Sequence, residues 1–138
     1  MRVVIDRNVL ISALLNQSSL PAELITLWRQ GKFDLVTAEQ QLDEISRVTR
    51  YPKIRQRLRP ALAGRLINEI RDVAIIVSRL PNVDVSPDPC DNYLLAIAYG
   101  GAADYLVTGD KNDLLSIRKF QGVPIVSVTD FLQQVGHR

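Results

Sequence analysis

Short apolar runs alternate along the chain with stretches whose apolar residues recur every three or four positions. The runs are rich in β-branched residues and predict strands at 2–6, 33–36, 104–108 and 124–128. The stretches between them predict helices that begin near 21, 38, 62 and 91, and a last helix over 129–135. Strands that alternate with helices indicate an α/β fold, here a three-layer α/β/α sandwich around a mostly parallel central sheet.

Local signals predict the ends of several elements. Thr37 and Gln40 have the spacing of a capping box, so Thr37 is the predicted N-cap of the helix that follows. Thr129 is the predicted cap of the last helix. The run 74–77 predicts a third strand at an edge of the sheet, and the prolines within 80–89 predict an extended loop.

The composition is typical of one globular domain. The chain has 138 residues, 46% hydrophobic and 23% charged, and we expect 1–138 to form a single domain. No run of about 18 apolar residues is present, so the sequence predicts no membrane span. Asp6 lies where a signal peptide would continue its apolar region, which favours a cytoplasmic location. The one cysteine and the one histidine argue against disulfides and histidine triads.

The charges are unevenly distributed, although the net charge is only +2. The segment 45–68 has no acid and seven bases, and the segment 80–110 has no base and five acids. A basic segment suits a phosphate backbone, and an acidic one suits a metal ion. Taken alone, however, the basic run favours a solvated helix face over a binding surface.

Four acidic residues lie at positions where they can converge on one crevice: Asp6, Glu44, Asp91 and Asp110. Asp6 and Asp110 follow apolar strands, Asp91 opens a helical pattern, and Glu44 lies at the edge of a buried helix face. In open α/β sheets ligands bind beyond the carboxyl ends of the strands. Each acid singly also fits a cap, a turn or a helix surface. Together, without histidine or cysteine partners, they suit Mg²⁺ or Mn²⁺ and metal-assisted phosphodiester chemistry.

Five segments, in this order and spacing, resemble the motifs of the PIN-domain family. The resemblance covers nearly the whole chain and is to the bacterial PIN-type toxin group related to the VapC ribonucleases. The segments are VVIDRNVLISAL at 3–14, LDEISRV with YPK at 42–53, DPCDNYLLAIA at 88–98, ADYLVTGD at 103–110 and VPIV at 123–126.

The resemblance implies an Mg²⁺- or Mn²⁺-dependent endoribonuclease, the toxin of a type II toxin–antitoxin pair. It would form a homodimer, bind a small antitoxin protein and hydrolyse RNA. The implied catalytic residues are Asp6, Glu44, Asp91 and Asp110, of which Asp6, Asp91 and Asp110 would hold the metal. Asn8 matches the polar position beside the first acid and Thr108 the hydroxyl before the last, while Asp88 and Asp113 are candidate outer acids. The predicted contacts to RNA are those of Asn8, Thr108, Arg47, Arg50 and Lys53.

Two residues depart from the family pattern and leave alternatives open. Arg7 stands where Thr or Ser is usual, and Cys90 stands where an additional Asp is common. In an extended chain the Arg7 side chain points away from that of Asp6. If the chain turns there, the guanidinium enters the cavity and pairs with a carboxylate, in competition with metal. The first alternative is therefore a non-catalytic PIN module that binds RNA or protein. The second alternative does not depend on these two residues: it is another α/β fold with acids beyond its strands, such as a phosphoryl-transfer receiver or phosphatase.

Overall fold

The computed structural model describes residues 1–86, 88–109 and 114–135. Within these ranges six strands form one sheet in the order β3-β2-β1-β4-β6-β5. All neighbouring strands are parallel except β5, which runs antiparallel to β6. The strands are β1 (Arg2–Ile5), β2 (Asp34–Thr37), β3 (Ile75–Ile76), β4 (Tyr105–Val107), β5 (Lys119–Phe120) and β6 (Val123–Val126).

Helices cover both faces of the sheet, which confirms the predicted α/β sandwich. Alternate residues of β1 face opposite sides: Ile5 packs into one core cluster and Val4 into the other. The first cluster takes its helical residues from α1, α2, α3, α5 and α8, and the second from α6 and α7. The helices are α1 (Arg7–Leu15), α2 (Leu20–Arg29), α3 (Glu39–Val48), α4 (Pro52–Arg55), α5 (Pro60–Val73), α6 (Pro89–Gly100), α7 (Leu114–Ile117) and α8 (Val128–Val135).

The strand order places the ends of β1 and β4 at the centre of one edge of the sheet. From β1 the chain proceeds outward to β2 and β3, then crosses to β4 on the other side of β1. Ile5 pairs in register with Val107, and the Asp6 N–H continues the pairing with a 2.9 Å bond to the Val107 carbonyl. Such a reversal point is where a parallel sheet opens a crevice for ligands.

The predicted capping role of Thr37 is wrong, because Thr37 is the last residue of β2 and Ala38 is the N-cap of α3. The buried Thr37 hydroxyl donates instead to Oε1 of Gln41. The Gln41 amide in turn donates to the Ile5 carbonyl at 2.6 Å. A buried polar side chain must find a partner, and this requirement outweighs the capping spacing read from the sequence.

The predicted capping role of Thr129 is also wrong. Ser127 precedes α8, and its hydroxyl accepts a 3.1 Å bond from the backbone N–H of Asp130. The predicted edge strand is present as β3, at one end of the sheet. The helix α1, the short helix α7 and the strand β5 were not predicted. None of the described helices is both long and apolar enough to cross a membrane.

Candidate active site

Asp6 lies where β1 ends and α1 begins. It is the N-cap of α1, and its Oδ1 accepts a 3.4 Å bond from the Asn8 N–H. Its Oδ2 accepts a 2.8 Å bond from the hydroxyl of Thr108, directly after β4. Asp6 is 6% exposed and Thr108 is 0% exposed. The carboxylate is therefore held from two adjacent strand ends, and the hydroxyl that holds it lies behind it, away from solvent.

Arg7 is the first residue of α1, so the chain turns directly after Asp6. The turn directs the Arg7 guanidinium towards α3, where Nη1 forms an ion pair with Oε1 of Glu44. The side chain of Arg7 is 25% exposed and that of Glu44 is 11% exposed. Of the two conformations considered for Arg7 from the sequence, the structure shows the one in which Arg7 pairs with a carboxylate.

Asp91 lies in the first turn of α6 and is 7% exposed. Its Oδ2 accepts a 3.4 Å contact from the Ser86 hydroxyl, in the loop before the helix. The Asn92 side chain fastens the same loop, because Oδ1 accepts bonds of 3.1 and 2.8 Å from the N–H groups of Val85 and Ser86. Its Nδ2 donates to the Ser86 carbonyl at 3.1 Å. The loop is thereby fixed relative to the helix that carries the acid.

A cavity of about 460 Å³ brings these side chains together. Among the described residues, its polar wall combines acids from the end of β1, from α3 and from the start of α6 with one arginine, and Gly109 lines the side next to β4. Like charges in one cavity repel unless a cation or a proton compensates them. The described charged and amide residues of the wall are Asp6, Arg7, Asn8, Glu44, Asp88 and Asp91.

The predicted fourth acid, Asp110, follows Gly109 in the chain but lies outside the described residues. Asp113 also lies outside them, as does the side chain of Cys90. Among the residues that are described, no group of three Asp, Glu, His or Cys side chains is arranged to hold a metal ion. The metal-binding set Asp6, Asp91 and Asp110 therefore stays a prediction.

The donors that line the cavity fit a hard cation. Asp6, Asp91 and Asp88 supply carboxylate oxygens and Asn8 an amide oxygen, which are ligands that Mg²⁺ and Mn²⁺ prefer. Glu44 lines the cavity as well, but its Oε1 is engaged by Arg7. A metal ion in this cavity would thus be bound mainly by the acids of β1 and α6.

The predicted RNA-binding bases do not line the cavity. Arg47, in the last turn of α3, shares with Glu44 a shallow depression of about 300 Å³. Arg50 lies just after the end of α3, and Lys53 lies on α4. The side chains of Arg47, Arg50 and Lys53 are all exposed. The remaining arginines of 55–65 are exposed too, so the basic segment is solvated, and Arg47 lies next to the cavity residue Glu44 in the depression.

Several residues of the site were not singled out from the sequence. Ser86 and Asn92 shape the loop beside Asp91, and Ser12 and Tyr93 line the cavity. The apolar residues Val9, Leu10 and Ala13 have helical spacing and could have revealed α1, and with it the turn at Arg7. Side-chain bonds to a loop backbone leave no comparable pattern in the sequence.

Two comparisons with known proteins found similar sequences. The sequence matches the family profile described as PIN domain over residues 2–112, a span that includes Asp6, Glu44, Asp91 and Asp110. It is also 34% identical over 118 residues to the uncharacterized protein MJ1680 of Methanocaldococcus jannaschii. The aligned region covers 85% of this chain and 75% of that relative.

Proposed function

This chain belongs to the PIN domain family, and we propose that it is a metal-dependent endoribonuclease that hydrolyses RNA at the cavity of Asp6. PIN domains are generally nucleases and usually bind divalent metal ions. The observation that carries the proposal is the placement of Asp6. Its carboxylate is buried, held by Thr108 at the reversal point of the sheet, and shares one cavity with Asp91 on the opposite helix.

Asp6, Asp91 and Asp110 are the proposed residues that hold Mg²⁺ or Mn²⁺. When bound, such an ion lowers the pKa of a coordinated water and stabilises charge on the phosphate oxygens. The protein itself orients the acids: Thr108 fixes Asp6, and the loop fastened by Asn92 fixes the surroundings of Asp91. The Asn8 side chain, exposed at the mouth of the cavity, is placed to contact the RNA. Hydrolysis breaks one P–O ester bond and adds the elements of water across it.

The basic segment is the proposed binding surface for the flanking RNA. Arg47, Arg50 and Lys53 are exposed, and Arg47 shares a depression with Glu44, which also lines the cavity. Exposed bases of this kind can contact phosphates. Phosphate contacts of this kind supply affinity without reading sequence. A cytoplasmic location is part of the proposal, since the substrate is RNA.

The proposal extends to a role as the toxin of a type II toxin–antitoxin pair. It rests on the resemblance to the PIN-type toxin group, which also suggests a homodimer and a small antitoxin that covers the cavity. Induced expression should then arrest growth of the host cell, and Asp6→Asn should relieve the arrest. Growth unaffected by the active protein would contradict the toxin role while leaving the nuclease proposal intact.

A second candidate function is an RNA- or protein-binding PIN module without catalysis. The observation in its favour is the ion pair of Arg7 with Glu44, which places a positive charge inside the cavity. That charge opposes the binding of a metal cation. In this case Arg7→Thr, which supplies the residue usual at this position, should raise the affinity for Mn²⁺.

The test of the nuclease is cleavage of a mixed RNA pool with and without Mn²⁺. Asp6→Asn should abolish cleavage while keeping the fold, because Asn caps a helix about as well as Asp. The matched control is Asp34→Asn, an exposed acid at the opposite end of the parallel strands. Metal-dependent cutting that is lost in the first variant and kept in the second supports the proposal. Equal cutting by both variants, or none by the folded wild type, contradicts it.

A further inference from the structure

Arg7 is the one cationic residue on the described wall of the cavity. Its backbone starts α1, and its side chain is fixed at two atoms. Nη1 pairs with Oε1 of Glu44, and Nε lies 3.4 Å from Oδ1 of Asn8. Among the described residues, no acceptor bonds to Nη2, so two N–H groups of the guanidinium remain to bind a ligand.

The partner of Arg7 is significant because it is not one of the acids proposed to hold metal. Asp6 and Asp91 line the same cavity, yet the described ion pair of Arg7 is with Glu44. A guanidinium that simply replaced a metal ion would be expected against Asp6 or Asp91. The observed ion pair is with Glu44 and with neither of those two acids.

The chemistry of this arrangement suits a phosphodiester. A phosphate that approaches an acidic cavity is repelled by the carboxylates, and a fixed cation beside them reduces that repulsion. The planar guanidinium matches phosphate oxygens in geometry. A side chain already held in place by Glu44 loses little rotamer freedom when it binds, which favours affinity.

We propose that Arg7 binds an RNA phosphate at the mouth of the cavity and that Glu44 positions Arg7 rather than ligating metal. The inference rests on the proposed function, since it assumes RNA as the ligand. Glu44 borders both the cavity, which is lined by Arg7, and the depression, which is lined by Arg47. A strand whose phosphates contact both arginines passes from the basic surface into the cavity.

The experiment measures binding, so that it does not depend on cleavage. A fluorescent single-stranded RNA is titrated with protein in EDTA over a series of salt concentrations, and the affinity is followed by anisotropy. Arg7→Thr should weaken binding about tenfold at low salt, the loss of one charge-assisted contact. It should also lower the slope of log affinity against log salt by about 0.7, the value for one phosphate contact on a single strand.

The matched control is Arg71→Thr. Arg71 lies on α5 and forms an ion pair of 3.0 Å with Glu39, which is on α3 like Glu44. Arg71 does not line the cavity. The control thus removes one arginine and one arginine–glutamate pair from a neighbouring site. It should leave both affinity and slope close to those of the wild type. Arg7→Lys should keep the slope but bind more weakly than wild type, because lysine lacks the planar fork.

Glu44→Gln tests whether Glu44 positions Arg7, because the two possible roles of Glu44 predict opposite changes in RNA affinity. If Glu44 holds Arg7 for the phosphate, the substitution weakens binding in the wild type and has no such effect in Arg7→Thr. Removal of a carboxylate that only repels RNA would raise affinity in both backgrounds, and this result would overturn the positioning role.

The remaining outcomes separate this inference from the proposed function. If the protein binds RNA, Arg7→Thr weakens that binding and no RNA is cut, the result supports the Arg7 site and contradicts the nuclease proposal. The inference is overturned if Arg7→Thr leaves RNA affinity and salt slope as unchanged as Arg71→Thr does, or if it changes only the affinity for Mn²⁺. A wild type that binds no RNA in EDTA also overturns it.

Discussion

The hydroxyl of Thr108 donates a 2.8 Å hydrogen bond to Oδ2 of Asp6, and both residues are buried. The bond joins residues 102 positions apart and closes the gap between the ends of β1 and β4. Next to it, the Asp6 N–H bonds to the Val107 carbonyl and the Thr108 N–H to the Val126 carbonyl. The position of the first acid is therefore determined by three neighbouring strands and not by its own strand alone.

Thr108→Val should destabilise the protein and impair catalysis together. Valine has nearly the same shape, so the main change is loss of a hydrogen bond to a charged group, which costs about 2 kcal/mol of unfolding free energy. The Asp6 carboxylate then moves relative to Asp91, and we expect kcat to fall about tenfold or more with a smaller change in KM. Urea unfolding and steady-state cleavage of an RNA substrate measure the two effects.

A neighbouring strand offers a matched control for Thr108→Val. Thr37 is the last residue of β2, is fully buried, and donates its hydroxyl to Gln41 instead of an acid of the cavity. Thr37→Val should cost stability while leaving kcat within about twofold, and Thr108→Ser should restore much of the activity. Equal losses of kcat in the two valine variants would show that the Thr108 bond acts only on stability.

The fold and the approximate site were predictable because they depend on periodic patterns. The alternation of strands and helices predicts the sheet, and an acid directly after β1 must lie at the carboxyl edge. The position of Glu44 on the edge of a buried helix face follows from helical spacing, and the structure confirms that it borders the cavity. These inferences need only the period of each element and the end at which a residue lies.

The contacts between side chains could not be predicted in the same way. The Arg7–Glu44 pair depends on how α1 packs beside α3, and the sequence alone is compatible with two conformations of Arg7. Thr37 was assigned to a cap from its spacing, although its actual partner depends on the burial of Gln41. Contacts of this kind depend on tertiary packing and leave no local signal in the sequence.

Asn92→Ala should loosen the loop that precedes Asp91. The Asn92 side chain makes three bonds to the backbone of Val85 and Ser86, and alanine would leave those groups to water. We expect a loss of about 1–3 kcal/mol in unfolding free energy and faster amide hydrogen exchange at 85–86. Asn92→Asp keeps the acceptor and loses the donor, so its effect should be intermediate. Exchange at 85–86 that stays as slow as in the wild type would contradict this role.

Lys53→Gln should weaken binding of single-stranded RNA and lower its dependence on salt. Lys53 is exposed on α4, within the proposed path of the RNA backbone. The loss of one phosphate contact lowers the salt slope by about 0.7. Lys32→Gln is the control, because Lys32 is also exposed but precedes β2, at the opposite end of the parallel strands from the cavity. If both variants lower the slope equally, the binding is distributed over the whole surface and the basic segment has no special role.

The ion pair between Glu39 and Arg71 should make a small, pH-dependent contribution to stability. The bond from Arg71, with its positive charge, lowers the pKa of the Glu39 carboxyl. Because the folded-state pKa lies below the unfolded value of about 4.3, the contribution is present at neutral pH. It is lost as the pH falls through the lower, folded-state pKa.

Arg71→Thr should therefore lower Tm slightly at pH 7. The Tm difference from wild type should shrink in acid. It should also shrink in high salt, because the pair is exposed. Glu39→Gln should lower Tm by a similar amount, and the double variant with Arg71→Thr should lose no more than either single variant. A Tm difference that stays constant down to pH 3 would instead assign the loss to packing of the Arg71 side chain.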